Sequence, residues 1–416
     1  MNYILWYTFL VGGMIMNRID IPEDVLYILE SLNKKGYEAY IVGGCVRDAI
    51  LNIVPKDWDV TTSAKPEEVK TCFEKTFDTG IQHGTVTAVI NKNNYEITTY
   101  RIEDEYDDCR HPNKVYFTDK LTDDLLRRDF TMNAIAYHPN EGFKDPFCGI
   151  DDIKIKTIRG VGNPSERFNE DALRMLRAVR FSAQLGFDIE NETLEALKQN
   201  VSLIKKISVE RIREEISKLI KSDFTEKIPL LWETGLLYEI SCELNNKVLE
   251  EKENIIKSLL NKPKDDILCW IIFLKAFDGE EAKKMLRYLK FDLNTIKSVS
   301  KLLEYKNIDF PNNDYEIKKL ANTIGKENIE KWFKLYSLIN NKELGESGLE
   351  KYNNIISKNE CIFQKDMNIT GNDLIDMGFE KGKRLGEVLS ILLDYVHKNP
   401  NENNKNSLLS KAKEYI

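Results

Sequence analysis

The chain has 416 residues, 42% of them hydrophobic and 31% charged, a composition of folded globular proteins and long enough for about two to four domains. Its net charge of -8 argues against a broadly basic nucleic-acid binder and leaves room only for a local basic surface. Seven cysteines without a CxxC pair suit reduced thiols, and four scattered histidines supply no zinc cluster. A catalytic metal would therefore have to be held by carboxylates, as magnesium is rather than zinc.

The first sixteen residues, MNYILWYTFLVGGMIM, are apolar but shorter than the roughly 20 residues of a membrane-spanning helix, and they lack the basic residues that open a signal peptide. A functional start near Met14 or Met16 and no stable membrane association are the expectation. A helix follows over 20–36, with Asp20 as cap, Pro22 in the first turn and Gly36 at its end. An apolar strand is expected at 38–44, a short helix from Cys45, and a strand around 57-DWDVTT-62. Pro66 opens another helix, strands follow at 85–90 and 95–101, and Asn93-Asn94 reads as the turn between them. From about Asp151 the apolar spacing becomes three and four, the helical period.

The chemistry gathers around 42-VGGCVRD-48 and 57-DWDV-60. On a strand Asp57 and Asp59 would point one way and Trp58 the other. Two adjacent carboxylates repel unless a cation or strong donors neutralise them, and a pair of divalent ions can do this while clamping a phosphoryl transfer. Gly43 and Gly44, between strand and helix, would let backbone N–H groups approach a triphosphate. Glu96, an acid flanked by apolar residues on a later strand, is the candidate third carboxylate. In this order and spacing the motifs resemble the nucleotidyltransferase superfamily that includes DNA polymerase β.

Three more segments narrow the resemblance: 127-RRDFTMNAIAY-137, 160-GVGNPSERFNEDALRMLRAVRFSAQLGF-187 and 208-SVERIREEISKLI-220. With them the chain after Met16 closely resembles the class II tRNA nucleotidyltransferases, which are the CCA-adding enzymes and the related bacterial poly(A) polymerases. In 170-EDALRMLRAVR-180, Asp171 and Arg174 are three apart and would share a helix face, with Arg177 next along it. An Asp accepts and an Arg donates. Such a pair would suit the amino donor and ring-nitrogen acceptor common to cytosine and adenine, and would refuse uracil and guanine.

The resemblance implies that Asp171 and Arg174 read the incoming base, and that Arg128, Asp129 and Asn133 bind its ribose and phosphates, with Asp129 the candidate for the 2′-hydroxyl. Arg177 and Arg180 either serve the triphosphate or brace the helix. Arg127 or Arg128 could instead pair with Asp123 or Asp124, and Arg47 either touches phosphate or fixes the glycine turn through Asp48. The polar stretch 101–117, with Arg110, resembles the family's flexible loop used in switching from C to A. In the tail, Gly378, Gly382 and Gly386 among Lys381, Lys383 and Arg384 suit either an RNA backbone or close helix packing.

The resemblance thus implies an α+β nucleotidyltransferase head, a small mixed sheet with flanking helices, followed by an all-α neck, body and tail. The boundaries would be an apolar extension at 1–16, head at 17–153, neck with base recognition at 154–233, body at 234–335 and a tRNA-binding tail at 336–416. The implied activity is template-independent addition of CCA to the tRNA 3′ end from CTP and ATP, with magnesium held by Asp57 and Asp59, in the cytoplasm. Poly(A) synthesis, addition of C or A alone, and a non-catalytic RNA-binding role are the competing readings.

Overall fold

The structure is a computed structural model that describes residues 18–103, 115–261 and 265–415, and the backbone of a short antiparallel pair, β1 (Leu10–Val11) and β2 (Met14–Ile15). The rest of the N-terminal extension, Cys109 and Arg110 lie outside the described residues. The chain forms two compact units, Met1–Asn246 and Lys247–Ile416.

In the first unit, α1 (Glu23–Lys34) buries Val25, Ile28, Leu29 and Leu32. That stripe at helical spacing stabilises it by roughly 1.5–3 kcal/mol per side chain. Pro22 sits at the cap position and no side chain closes the cap, so Asp20 plays no part in it. Next come β3 (Ala39–Val42), buried at all four positions, α2 (Gly44–Ile50), β4 (Val60–Thr62) and α3 (Pro66–Lys70). Strands β5 (Thr76–Gly80), β6 (Thr85–Ile90) and β7 (Asn93–Thr99) follow, then the short pair β8 (Arg101–Glu103) and β9 (Val115–Phe117). The turn between β6 and β7 is one residue pair earlier than expected. Asn91 and Lys92 take positive φ (49° and 70°), while Asn93 already pairs with Ile90. A two-residue hairpin turn needs φ > 0 at its centre, which asparagine tolerates.

Helix α4 (Leu121–Leu126) leads to β10 (Ala136–His138) and β11 (Gly142–Lys144). The sheet order is β11-β10-β3-β4-β7-β6-β5, antiparallel except for the parallel pair β4–β7. Then α5 (Gly149–Lys154), β12 (Thr157–Ile158), α6 (Pro164–Glu170), α7 (Leu173–Leu185), β13 (Asp188–Ile189, parallel to β12), α8 (Asn191–Asn200), α9 (Val209–Leu219), α10 (Leu230–Glu233) and α11 (Leu236–Ile240) complete the unit. The expected head of mixed sheet and helices is observed, with differences in its strands. Strands β5, β10 and β11 of the main sheet are additional to those the sequence predicts, and β4 begins only at Val60, so Asp57 and Asp59 lie in the segment entering it.

From α12 (Cys242–Glu250) onward the chain is helical: α13 (Lys252–Leu260), α14 (Asp266–Phe273), α15 (Gly279–Tyr288), α16 (Leu293–Glu304), α17 (Asp314–Ile324), α18 (Lys326–Ile339), α19 (Lys342–Ser357), α20 (Gly371–Asp376), α21 (Lys383–Lys398) and α22 (Lys405–Ala412). In the second unit Leu374, Phe379, Val388, Leu392, Val396 and Leu408 share one apolar cluster. Lys318 of α17 is only 1% exposed, pairs with Glu360 at 2.5 Å and donates to the His397 carbonyl at 3.3 Å. Among the described residues no helix is long and apolar enough to cross a membrane.

Candidate active site

The backbone of Asp59 still belongs to the sheet, since its carbonyl accepts from Val42 N at 3.1 Å. Val60 pairs in parallel with Ile97, and both are buried. One residue earlier, Asp59 and Glu96 therefore stand on the opposite, open face of the sheet, with Asp57 two residues before Asp59. Asp59 is exposed by surface area, yet protein close to its carboxyl takes away part of its water. Loss of surrounding water is the largest cause that raises its pKa, and the charges of Glu96 and Asp57 add to it while Arg128 opposes them. Bringing like charges together at such a cost is what a bound cation would relieve, and carboxylate oxygens are the donors hard divalent ions prefer. Among the described residues no group of three or more acid, Cys or His side chains is placed to hold a metal. Glu96 acts on Asp59 as a neighbouring charge.

Gly43 links β3 to α2 with φ +84°, a conformation that favours glycine, and a Cβ there would come 2.8 Å from Arg128 Nη1. The Arg128 guanidinium thus lies directly over the turn. Its other contact is Asp124, at 3.4 Å. Asp124 is fully buried on α4 and takes two donors from Arg127 (3.0 and 2.7 Å) and one from Thr61 Oγ1 (3.2 Å). Burial works to raise the pKa of Asp124, but the two guanidinium charges outweigh it and hold the group below its ordinary value. Arg127 is thus the close ion-pair partner, while Arg128 makes the longer contact with Asp124 and sets Nη1 beside the glycine turn.

A chain of hydrogen bonds runs from the glycine turn to the helix beyond the sheet. Arg47 of α2 gives Nε and Nη2 to Asp48 (2.9 and 2.6 Å) and Nη1 to Asn133 Oδ1 (2.7 Å). Asn133 Nδ2 donates to Asp129 at 3.0 Å, and Arg177 of α7 grips the other Asp129 oxygen. Asp129 is buried, which by itself would raise its pKa; the Arg177 charge and the bonds from Asn133 and Arg177 pull it well below the usual carboxylate range. Arg47 is spent on Asp48 and Asn133, so of its two sequence readings the structural one fits its surroundings.

Phe181 sits among three guanidiniums, with Arg180, Arg47 and Arg177 at 3.8, 4.9 and 5.3 Å from its ring centre. Arg180 is buried, bonded to Glu215 of α9 at 2.6 Å and to Gln184 at 2.7 Å. It braces α7 against α9, whereas the Arg177 side chain stays 34% exposed.

The expected pairing of Asp171 and Arg174 on one helix face is corrected. The helical run breaks at Asp171 (φ −138°, ψ 102°), between α6 and α7. An extended residue there lets its carboxylate accept from Leu173 N at 3.0 Å, which serves the orphan donors of the next helix. The Asp171 carboxylate is bonded not to the Arg174 guanidinium but to that of Arg211 of α9, at 2.8 and 3.3 Å, while Arg174 N donates to the Asp171 backbone carbonyl at 3.0 Å. Arg174 is buried and donates to Glu170 (2.6 Å) and to the carbonyls of Arg167 and Arg127 (3.1 and 2.8 Å). Arg211 and Glu215 were not singled out from sequence. Their i, i+4 spacing on α9, on the side that carries buried Ile212 and Ile216, was the available signal. In the tail, a Cβ on Gly378, Gly382 or Gly386 would meet nothing within 4 Å, so the close-packing reading of those glycines does not hold.

An acid pair entering the central strand of a mixed sheet, beside a glycine turn roofed by an arginine, defines a nucleotidyltransferase head, and residues 39–159 match the family model described as "Poly A polymerase head domain". Residues 186–247 match "Probable RNA and SrmB- binding site of polymerase A", and residues 261–412 match a model for tRNA nucleotidyltransferase domain 2. The CCA-adding enzyme of Lactobacillus helveticus is 37% identical over 402 residues, covering 94% of this chain and 98% of its own. That of Listeria monocytogenes is 36% identical over 397 residues, covering 94% and 97%. The crystal structure of the Bacillus stearothermophilus CCA-adding enzyme in complex with CTP matches with a TM-score of 0.80 at 30% identity, over 94% of this chain and 98% of that one. The chain belongs to the family of CCA-adding enzymes.

Proposed function

We propose that this enzyme rebuilds the terminal CCA of tRNA from CTP and ATP without a nucleic-acid template, releasing pyrophosphate, and that it does so in the cytoplasm. The observation that carries the reading is the continuous set of contacts from the Gly43 turn through Arg47, Asn133 and Asp129 to Arg177, beside the Asp57–Asp59 pair. Such a frame can hold a nucleotide's phosphates, sugar and base at fixed distances from one reacting point. Full-length similarity to CCA-adding enzymes supports it.

In this reading the primer 3′-oxygen attacks the α-phosphorus in line. A new P–O bond forms to the 3′-oxygen, the bond from the α-phosphorus to the bridging oxygen breaks, and pyrophosphate leaves with the electron pair. Asp57 and Asp59 would hold magnesium ions, which when bound supply positive charge against the charge gathering on the phosphoryl oxygens. Glu96 adds negative charge behind Asp59. Arg128, over the turn of Gly43 and Gly44, takes the triphosphate, and Asp129 with Asn133 orients the ribose. Asp171 and Arg174 select the base. Arg177 holds Asp129 and faces the phosphates, while Arg47 and Arg180 keep the turn and the helix in place. The open tail surface at Gly378, Gly382 and Gly386 is proposed for RNA, and the division into head, neck, body and tail follows the same reading.

The test is extension of tRNA lacking its last three nucleotides, resolved to single nucleotides, with CTP, ATP or both. Two additions with CTP alone and a stop at three with both are expected. Long tails with ATP alone would instead identify a poly(A) polymerase, and no extension with any nucleotide would refute the enzymatic reading.

A further inference from the structure

We infer that Arg211 is a positioning residue that governs base choice by holding the Asp171 carboxylate in one orientation. The inference rests on the reading of Asp171 as the base-selecting carboxylate. Asp171 lies in the extended break between α6 and α7, so no regular helical turn fixes its side chain. What fixes it is Leu173 N, donating to Oδ1 at 3.0 Å, and the Arg211 fork, with Nη1 at 3.3 Å from Oδ1 and Nη2 at 2.8 Å from Oδ2. A carboxylate has about four lone-pair positions, and these bonds fill three. Oδ2 keeps room for one more donor.

The amino group shared by cytosine and adenine is such a donor. A carbonyl oxygen of uracil or guanine brought to the same place meets the carboxylate with nothing to offer it, and a buried acceptor goes unpaired. Which edge of the carboxylate faces outward is set by the planar fork, because two parallel N–H groups fix its rotation where a point charge would not. Arg211 is itself held firmly. It stands on α9, whose Ile212, Ile216 and Leu219 are buried and whose Glu215 is bonded to Arg180 of α7. Arg211 works only through Asp171.

The experiment measures kcat/KM of the full chain for CTP and UTP in Arg211→Met, Arg211→Lys and Asp171→Ala, with the melting temperature of each. Arg211→Met is expected to lower the CTP-over-UTP ratio by ~10-fold or more. Arg211→Lys should recover little of it, since an ammonium lacks the fork, and it carries the test if the methionine variant does not fold. Asp171→Ala should lower the ratio at least as far. A ratio that survives in both Arg211 variants but collapses in Asp171→Ala overturns the role of Arg211 and leaves Asp171 standing. Equal slowing of CTP and UTP in the Arg211 variants makes Arg211 a structural brace and also overturns it. A ratio unchanged in all three removes base reading from Asp171, and the role of Arg211 falls with it.

Discussion

Arg177 reaches from α7 to close on one oxygen of Asp129 with two donors, Nε at 2.8 Å and Nη2 at 2.6 Å. The other Asp129 oxygen receives Phe130 N and Asn133 Nδ2. A helix that follows the sheet in sequence is thereby tied to the turn that carries Asn133. Arg177→Met should destabilise the first unit by about 2 kcal/mol, less than the about 3–5 kcal/mol of a fully buried pair because part of Arg177 faces solvent. Urea denaturation checks this, and an unchanged midpoint would refute it.

The depressed pKa of Asp129 also makes its contribution pH-dependent. A carboxylate whose folded pKa lies below its unfolded value stabilises the fold above the unfolded pKa, about 3.9, and loses that contribution as pH falls through the folded one. The stability gap between wild type and Asp129→Asn should therefore be constant near neutral pH and shrink only below about pH 4. A gap that shrinks between pH 5 and 7 would contradict the assignment.

Asp59 and Glu96 share a face, but the charge of Glu96 reaches Asp59 without completing a three-carboxylate cluster among the described residues. Asp59→Asn should cut addition of both C and A by ~1,000-fold or more with little change in melting temperature, as expected where charge stabilisation is removed. Glu96→Gln should cost ~10-fold at most. Equal losses would promote Glu96 to a ligand.

Arg180 and Glu215 are both buried and bonded at 2.6 Å. Glu215→Ala leaves a guanidinium without its carboxylate and should cost about 3 kcal/mol. Because the bond joins α7 to α9, activity should fall with stability for CTP and ATP alike. A stable variant with altered base choice would assign Glu215 a different role.

In the second unit, Lys318→Met should be costlier than Lys318→Met combined with Glu360→Leu. Removing one partner strands a charge, at about 3–5 kcal/mol, whereas removing both spares the desolvation of each. The ordering is read from thermal melts, and the reverse ordering would mean that the pair itself supplies net stability.

Local features were legible along the chain. The stripe of α1, the all-buried β3, Pro66 opening α3 and the acid pair beside a glycine turn are each written within a few residues, because short-range sterics and burial periodicity produce them. Even there, neighbours in space moved the boundaries: β4 starts at Val60 and not Asp57, since that is where antiparallel β3 and parallel β7 both offer partners. The motifs of Asp57, Asp59, Asp129, Asn133 and Arg177 named the parts of the proposed site. Which part touches which was decided by tertiary structure alone. The Asp171 carboxylate bonds to the side chain of Arg211, forty residues away, and not to that of Arg174, three residues away. An exposed arginine and a buried one look alike in a sequence, and a fork that can reach several carboxylates takes the one that packing of α9 on α7 brings within 3 Å.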